Sequence, residues 1–264
     1  MLNIKEVDKI FNAGTVNETK LFDKFNLLIN KGDFITIVGS NGAGKSTVLN
    51  MIAGTLPIDN GGIFLNGNEI TNMKEHKRAK FIARVFQDPT KGTSPSMTII
   101  ENMALADNKG KNFGFAFGID KKRTSFFKEQ LSILNLGLED KLDTKVGLLS
   151  GGQRQALSLL MATLKKPEIL LLDEHTAALD PKTSENIMFI TDKIVKEKNI
   201  TTLMITHNIN HAIDYGNRIT MMHNGKQVLD KTGLAKQALT KEKLIEHFTT
   251  VTFNGNLDDR VILA

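Results

Sequence analysis

The 264 residues suit one α/β domain with an inserted subdomain, or two small domains. A hydrophobic share of 41% and a charged share of 24% are those of an ordinary soluble globular chain, and the lack of cysteine excludes disulfides and thiolate metal sites. A net charge of +5 permits attraction to nucleic acid or an anionic membrane surface, yet the charges are dispersed. Short clusters such as Lys121-Lys122-Arg123 and Lys165-Lys166 read as solvated helix faces, not as a nucleic-acid footprint.

No apolar run approaches the roughly 20 residues of a membrane-spanning helix, and Met1 to Glu6 lacks the apolar stretch of a secretion signal. The chain is therefore expected to be cytoplasmic. Residues 2–11 and 21–30 alternate apolar and polar around the turn Asn12-Ala13-Gly14 and predict antiparallel strands. Next comes a short β-branched run, Phe34-Ile35-Thr36-Ile37-Val38. It meets the loop Gly39-Ser40-Asn41-Gly42-Ala43-Gly44-Lys45-Ser46-Thr47, and Val48 to Ala53 continues as helix. Gly39 to Ser46 fits the G-x-x-x-x-G-K-[ST] phosphate-binding pattern in its strand–loop–helix context.

The chemistry needs these residue types for separate reasons. Glycines let backbone N–H groups approach a phosphate with no Cβ in the way. The helix start adds unsatisfied donors and partial positive charge. Lys45 supplies a point charge for the β- and γ-phosphates, and the Ser46 hydroxyl is of the type that ligates Mg²⁺. A nucleoside triphosphate site is expected here.

Further on, Ile63 to Ile70 is a hairpin around Asn66-Gly67. Lys74 to Lys80 is a short charged helix, and Ile82 to Phe86 is a strand ending at Gln87-Asp88-Pro89. From residue 88 to 164 helical periodicity prevails, over Thr98 to Ala106, Lys121 to Leu136 and Gln153 to Leu164. This predicts a helical subdomain (88–164) inserted into an α/β core formed by 1–87 and 165–264. Phe113, Phe115 and Phe117 alternate between glycines, either as subdomain core or as an exposed aromatic patch.

The α/β pattern then resumes with Ile169-Leu170-Leu171-Leu172, suited to a strand buried on both faces. Pro181 to Lys198 is a helix with Ile187, Ile190 and Ile194 on one face. Thr201 to Ile205 is a strand, and Asn208 to Asp214 a short helix. Arg218 to Leu229 is a second Asn-Gly hairpin, and Lys241 to Phe248 a terminal helix before a weakly patterned tail.

Asp173-Glu174 ends the buried strand, where open α/β sheets place their ligands. In phosphate-loop NTPases an aspartate here holds Mg²⁺ and a following glutamate can polarise the attacking water. In Leu149-Ser150-Gly151-Gly152-Gln153, Ser150 is an N-cap and the glycines expose backbone N–H groups. That makes a second anion-binding helix start, which one compact domain with one nucleotide does not need. LSGGQ is also the signature of the ATP-binding-cassette (ABC) family, which this chain resembles from Phe11 to about Phe248.

The resemblance implies an α/β fold: a P-loop NTPase (RecA-like) core with an N-terminal antiparallel β subdomain and an inserted helical subdomain. By the same resemblance Phe11 stacks on adenine, in place of the usual tyrosine. Gln87 touches Mg²⁺ and the lytic water, and Ser150 with Gly152 contacts the γ-phosphate of a nucleotide held by the opposite subunit. Gly151 and Gln153 belong to that same segment. Asp180, in Ala178-Leu179-Asp180, crosses the dimer interface, Glu174 acts as the base, and His207 hydrogen-bonds the γ-phosphate. His175 stands where the family usually has proline; a simple turn residue is expected, with contact to the site's rim as the alternative.

ATP and Mg²⁺ are the implied cofactors. The implied assembly is a homodimer, or a heterodimer with a similar ATPase, on an integral membrane permease, with an extracytoplasmic solute-binding protein in the case of an importer. Residues near Gln87 and the segment Pro95 to Glu101 would receive a permease helix. The string Asp173 to Pro181 resembles the ATPase subunits of bacterial tryptophan or tyrosine importers. A non-transport ABC ATPase acting on ribosomes or DNA, and a nucleotide-binding scaffold without turnover, are the competing readings; no nucleic-acid partner is expected.

Overall fold

In the computed structural model, which describes residues 1–109 and 123–253, the chain divides into two units. One is Met1–Ala79 with Thr201–Ala264, the other Lys80–Ile200. Its first elements are β1 (Leu2–Phe11), β2 (Thr19–Ile29), β3 (Phe34–Gly39), α1 (Lys45–Ala53), β4 (Asn60–Leu65), β5 (Asn68–Glu69) and α2 (Glu75–Arg78). The second unit holds β6 (Ile82–Val85), α3 (Ile99–Asn108), α4 (Thr124–Ser132), α5 (Gly151–Thr163), β7 (Ile169–Asp173) and α6 (Pro181–Lys198). The chain returns to the first with β8 (Thr201–Ile205), α7 (Ile209–Asp214), β9 (Arg218–His223), β10 (Lys226–Thr232), α8 (Gly233–Gln237) and α9 (Lys241–Phe253).

Within the first unit, period-two alternation builds an antiparallel sheet in the order β2-β1-β4-β5. Leu2, Ile4, Val7, Phe22, Ile29 and Ile63 are fully buried. Both Asn-Gly turns carry positive φ at both residues, Asn66 at 51° with Gly67 at 82°, and Asn224 at 45° with Gly225 at 71°. Those are the dihedral signs a two-residue hairpin needs to match strand twist.

Strand β3 is buried at every residue because parallel neighbours flank it, β8 with Ile35 opposite Leu203 and β9 with Ile35 opposite Arg218. Helix α1 leaves from its end. The charged segment expected at Lys74 to Lys80 does more than coat a surface: Arg78 is 3% exposed and reaches under α1. Its guanidinium donates to the carbonyl oxygens of Met51 (2.7 Å) and Ile52 (2.9 Å), placing a cation at the helix's negative end.

In the second unit β6 and β7 pair in parallel, Ala83 opposite Leu170. Three of its helices start on a capping side chain: Thr98 for α3, Ser150 for α5 and Asp180 for α6. This unit is wider than the expected 88–164 insertion, since it also carries β6, β7 and α6. Phe113, Phe115, Phe117, Lys121 and Lys122 lie outside the described residues.

Helix α9 runs on to Phe253, past the expected end at Phe248. The β-branched stretch that reads as a tail stays helical with Thr249 and Thr250 donating their hydroxyls back to the carbonyls of Ile245 (2.8 Å) and Glu246 (2.9 Å). No helix among the described residues is long and apolar enough to cross a membrane.

Gly225 ties the second hairpin to the phosphate loop: its N–H donates to the Ala43 carbonyl at 3.1 Å. A Cβ there would lie 1.7 Å from the Leu21 carbonyl oxygen, on a residue with φ of 71°. Gly225→Ala is therefore expected to cost about 2–4 kcal/mol, left-handed strain plus forced displacement of backbone. The midpoint of urea unfolding measures it.

Candidate functional site

The loop Gly39 to Thr47 leads from the end of β3 into α1. Gly39 ends β3 at φ 148°, and a Cβ on it would come within 2.1 Å of the Met222 carbonyl oxygen, so only glycine lets the loop start here. Ser40 is buried, Asn41 and Gly42 are exposed, and Ala43 and Gly44 are buried again. Gly44 precedes α1 with no side-chain cap. Lys45 is 6% exposed, and its ammonium donates to the carbonyls of Gly39 (2.7 Å) and Ser40 (2.8 Å). The cation is thus folded onto the loop itself. Ser46 is exposed and Thr47 half-buried in the first turn of α1.

His207 lies two residues beyond β8 and is exposed. The Asn208 N–H donates to the Thr206 hydroxyl at 3.0 Å, and the Asn208 side chain caps α7 through the His211 N–H. Gly39 and His207 share a small cleft of about 40 Å³ with Ile209 and with Leu244, Ile245 and Phe248 of α9. That space takes a few waters, not a nucleotide. Phe11 sits at the end of β1, half-buried, with the Lys9 ammonium 5.7 Å from its ring centroid.

In the second unit Asp173 ends β7, and Arg84 Nη2 donates to its Oδ2 at 2.5 Å. Glu174 follows at φ 48°, a left-handed conformation uncommon outside glycine and asparagine. The turn closes with the Ala177 N–H on the Glu174 carbonyl (3.0 Å) and the Leu179 N–H on that of Thr176 (3.2 Å). His175 sits within this turn, as expected, but its side chain is buried and bonded inward. It is 2% exposed, and its Nε2 lies 3.1 Å from the Thr191 hydroxyl of α6. That hydroxyl spends its proton on the Ile187 carbonyl (2.7 Å), so His175 Nε2 is the donor. Gln87 is exposed just past β6, where Gln155 of α5 bonds the Phe86 carbonyl at 3.2 Å.

The signature segment forms a full capping box. Gln153 N–H donates to Ser150 Oγ at 3.2 Å, and Ser150 N–H donates to Gln153 Oε1 at 3.2 Å. Gln153 Nε2 also reaches the Leu136 carbonyl (3.3 Å), so its side chain is occupied within the fold. The start of α5 abuts the start of α6. A Cβ on Gly152 would come within 2.3 Å of the Thr183 methyl, and one on Gly151 within 3.5 Å of Leu179. Asp180 caps α6 through the Thr183 N–H at 3.0 Å, and hydrogen bonds from Thr183, side chain first and then backbone, hold its carboxyl below the ordinary value.

Pro95 to Glu101 is tied to the residues ahead of the signature: Gly147 N–H donates to the Pro95 carbonyl and Val146 N–H to that of Met97, both at 2.9 Å. Fully buried Asn102 braces the same loop through Ser94 and Thr98.

Among the described residues no group of three or more His, Cys, Asp or Glu is placed to hold a metal. The Ser46 hydroxyl in one unit and the Asp173 carboxylate in the other are each oxygen donors of the kind a hard cation such as Mg²⁺ takes. The residue that sequence reasoning missed is Arg84; its only signal was a lone charge inside an apolar strand.

A family profile described as "ABC transporter" matches residues 22–177. The chain is 49% identical over 248 residues to a tyrosine transport ATP-binding protein of Clostridioides difficile, covering 94% of this chain and 98% of that protein. It is 34% identical to a phosphonates import ATP-binding protein of Lactococcus lactis, covering 93% and 98%. Its fold matches a dimeric post-hydrolysis state of an ATP-binding cassette bound to ADP and Pi, with a TM-score of 0.73 at 30% identity over 88% of this chain and 98% of that one.

His175 gives the Asp173–Asp180 turn a stability test. Thr191→Val strands a buried imidazole N–H and is expected to cost about 1–3 kcal/mol, whereas Thr191→Ser keeps the acceptor and costs less. Denaturant midpoints of the two variants, compared side by side, check this.

Proposed function

The chain belongs to the ABC transporter family, and we propose that it works as a head-to-tail dimer at the cytoplasmic face of a membrane, driving a separate permease that imports an aromatic amino acid. It is an ATP-hydrolysing transport subunit with a P-loop NTPase fold. The observation that carries the dimeric reading is the pair of anion-binding helix starts, α1 behind the phosphate loop and α5 behind Ser150. In this reading each ATP meets the phosphate loop of one subunit and the signature segment of the other.

The residues take these roles. Backbone N–H groups from Gly39 to Thr47 receive the phosphates, Lys45 moves its ammonium from the loop carbonyls to the β- and γ-phosphates, and Phe11 stacks on adenine with Lys9 over part of its ring. Ser46, Asp173 and Gln87 would hold Mg²⁺, which would supply positive charge to neutralise the phosphates. Glu174 accepts a proton from the attacking water, while His207 and, from the other subunit, Ser150 with Gly151 and Gly152 bond the γ-phosphate. Asp180 lies at the interface, beside the signature segment of its own subunit.

Closure of the dimer would reach the permease through the second unit. Gln87, the Pro95 to Glu101 segment and Ser150 are linked there by hydrogen bonds, from the Gln155 side chain to the Phe86 carbonyl and from the backbone N–H groups of Gly147 and Val146 to the carbonyls of Pro95 and Met97. In this reading the contiguous links carry the displacement. The substrate class rests on the tyrosine transport relative together with the Asp173 to Pro181 string. An importer also calls for an extracytoplasmic solute-binding protein. A role on ribosomes or DNA is less favoured, because the relatives this chain matches are transport and import ATP-binding proteins.

Two experiments test this. Glu174→Gln is expected to keep ATP binding, lose about 10²–10⁴-fold in turnover, and run as an ATP-dependent dimer on size exclusion; a monomer under those conditions counts against the closed dimer. Proteoliposomes carrying this chain with its cognate permease and binding protein are expected to take up tyrosine or tryptophan in an ATP-dependent manner. Uptake of phosphonate or polyamine in their place would reassign the substrate.

A further inference from the structure

Arg84 has no part in the roles above, yet it touches the residue to which the metal is assigned. It sits in the middle of β6 between buried Ala83 and Val85, and its side chain is 14% exposed. Nη2 donates to Asp173 Oδ2 at 2.5 Å, and the guanidinium carbon lies 4.8 Å from the centroid of the Phe86 ring. The Asp173 side chain is itself 17% exposed. A counter-charge on a carboxylate so shielded acts at close range with little water to screen it. An arginine provides that charge at every working pH.

The same pairing has a consequence for metal loading. A guanidinium N–H at contact distance occupies lone-pair directions that a cation, or a water on that cation, also requires. Two positive groups on one carboxylate repel each other, more strongly where solvent is scarce. The Phe86 face offers the guanidinium a second seat, because cation–π attraction persists when the hydrogen bond to Asp173 is given up.

We propose that Arg84 is a positioning residue that holds the Asp173 carboxylate in the metal-free protein and must shift toward Phe86 as Mg²⁺ arrives, so that it sets the Mg²⁺ concentration at which ATP is captured. This inference rests on the assignment of Asp173 to the metal. It makes Arg84 a brake on Mg²⁺ and not on ATP. Without it the carboxylate is free for Mg²⁺ at lower concentration, and nucleotide binding in the absence of metal is unaltered.

The test measures binding of a fluorescent ATP analogue to the full chain, in EDTA and across a Mg²⁺ titration, with no turnover needed. Arg84→Met is expected to lower the Mg²⁺ concentration for half-maximal capture by about fivefold to tenfold, an ordinary size for loss of one partly buried charge partner. Affinity in EDTA should stay within twofold of the parent protein, roughly the scatter of such measurements. Arg84→Lys keeps a point charge and should fall between. Phe86→Leu removes the second seat while leaving the ion pair, and should raise the Mg²⁺ requirement; it also decides the matter if Arg84→Met does not fold.

An unchanged Mg²⁺ half-saturation in Arg84→Met, or in Phe86→Leu where that variant stands in, overturns the proposal. Asp173→Asn separates the two levels of the argument. If Asp173→Asn weakens the Mg²⁺ response while Arg84→Met leaves it alone, only the role of Arg84 is wrong. If Asp173→Asn responds to Mg²⁺ as the parent does, Asp173 is not the metal's carboxylate and both readings fall.

Discussion

The first unit is built around one close approach, the end of β3 pressed against the Met222 carbonyl at a residue with no side chain. Because β3 lies between β8 and β9, its side chains have no solvent face, and its last peptide must turn away at once if a loop is to emerge. Gly39 allows that turn. The loop is then fixed from other directions: Gly225 bonds the Ala43 carbonyl, the Lys45 ammonium bonds two loop carbonyls, and a Cβ on Gly44 would lie 2.8 Å from the Phe22 ring of the N-terminal sheet. Backbone donors fixed in this way cost little reorganisation when an anion arrives, whereas the Lys45 ammonium must first leave its two loop carbonyls. The N-terminal strands thereby serve the loop although none of the phosphate-binding residues lies on them.

The helix starts of the chain are not alike: α1, α2, α4 and α8 lack a side-chain cap, whereas α3, α5, α6 and α7 carry one. Helices α3, α5 and α6 each begin on a side chain that accepts one of the early backbone N–H groups. Helix α1 begins on Gly44, with no side-chain acceptor. A helix whose first donors are meant for phosphate gains from leaving them uncapped, since a cap would compete with the ligand. Helix α5 is the intermediate case. Ser150 takes the Gln153 N–H and Gln153 returns the bond, which leaves Gly151 and Gly152 out of the exchange. Packing of Gly152 against Thr183 then joins this helix start to the first turn of α6 beside Asp180.

Much of this was legible in the sequence because it is written in local patterns. Alternation located β1 and β2, Asn-Gly located both hairpins, and the apolar runs located β3 and β7, since each depends on neighbours in sequence. The cap at Ser150 was readable for the same reason. What escaped depends on partners distant in sequence. The burial of His175 needs Thr191 on α6, the burial of Arg78 needs the end of α1, and the role of Arg84 needs Asp173 on a paired strand. Gln153 looked like a ligand residue because its position in the motif does not show that its side chain is already committed to Ser150 and Leu136. The extension of α9 runs against the β propensity of Thr249 and Thr250, whose hydroxyls fold back onto the carbonyls of Ile245 and Glu246 within the helix.

The two acids at the end of β7 show how adjacent residues of like charge come to differ. Asp173 keeps strand geometry and has Arg84 against it. Glu174 lies in a left-handed conformation, a departure that typically costs on the order of 1 kcal/mol or more for a residue with a Cβ. Such a residue persists only where its surroundings leave no alternative. Here the next side chain, His175, is buried and bonded to α6, the Glu174 carbonyl is bonded by Ala177, and six residues on, Asp180 fixes the first turn of that helix. Relaxing Glu174 to an ordinary φ would swing the chain away from all of these anchors. The backbone of the turn sets the direction of Glu174, and the ion pair with Arg84 sets that of Asp173, so two neighbouring acids are oriented by different means.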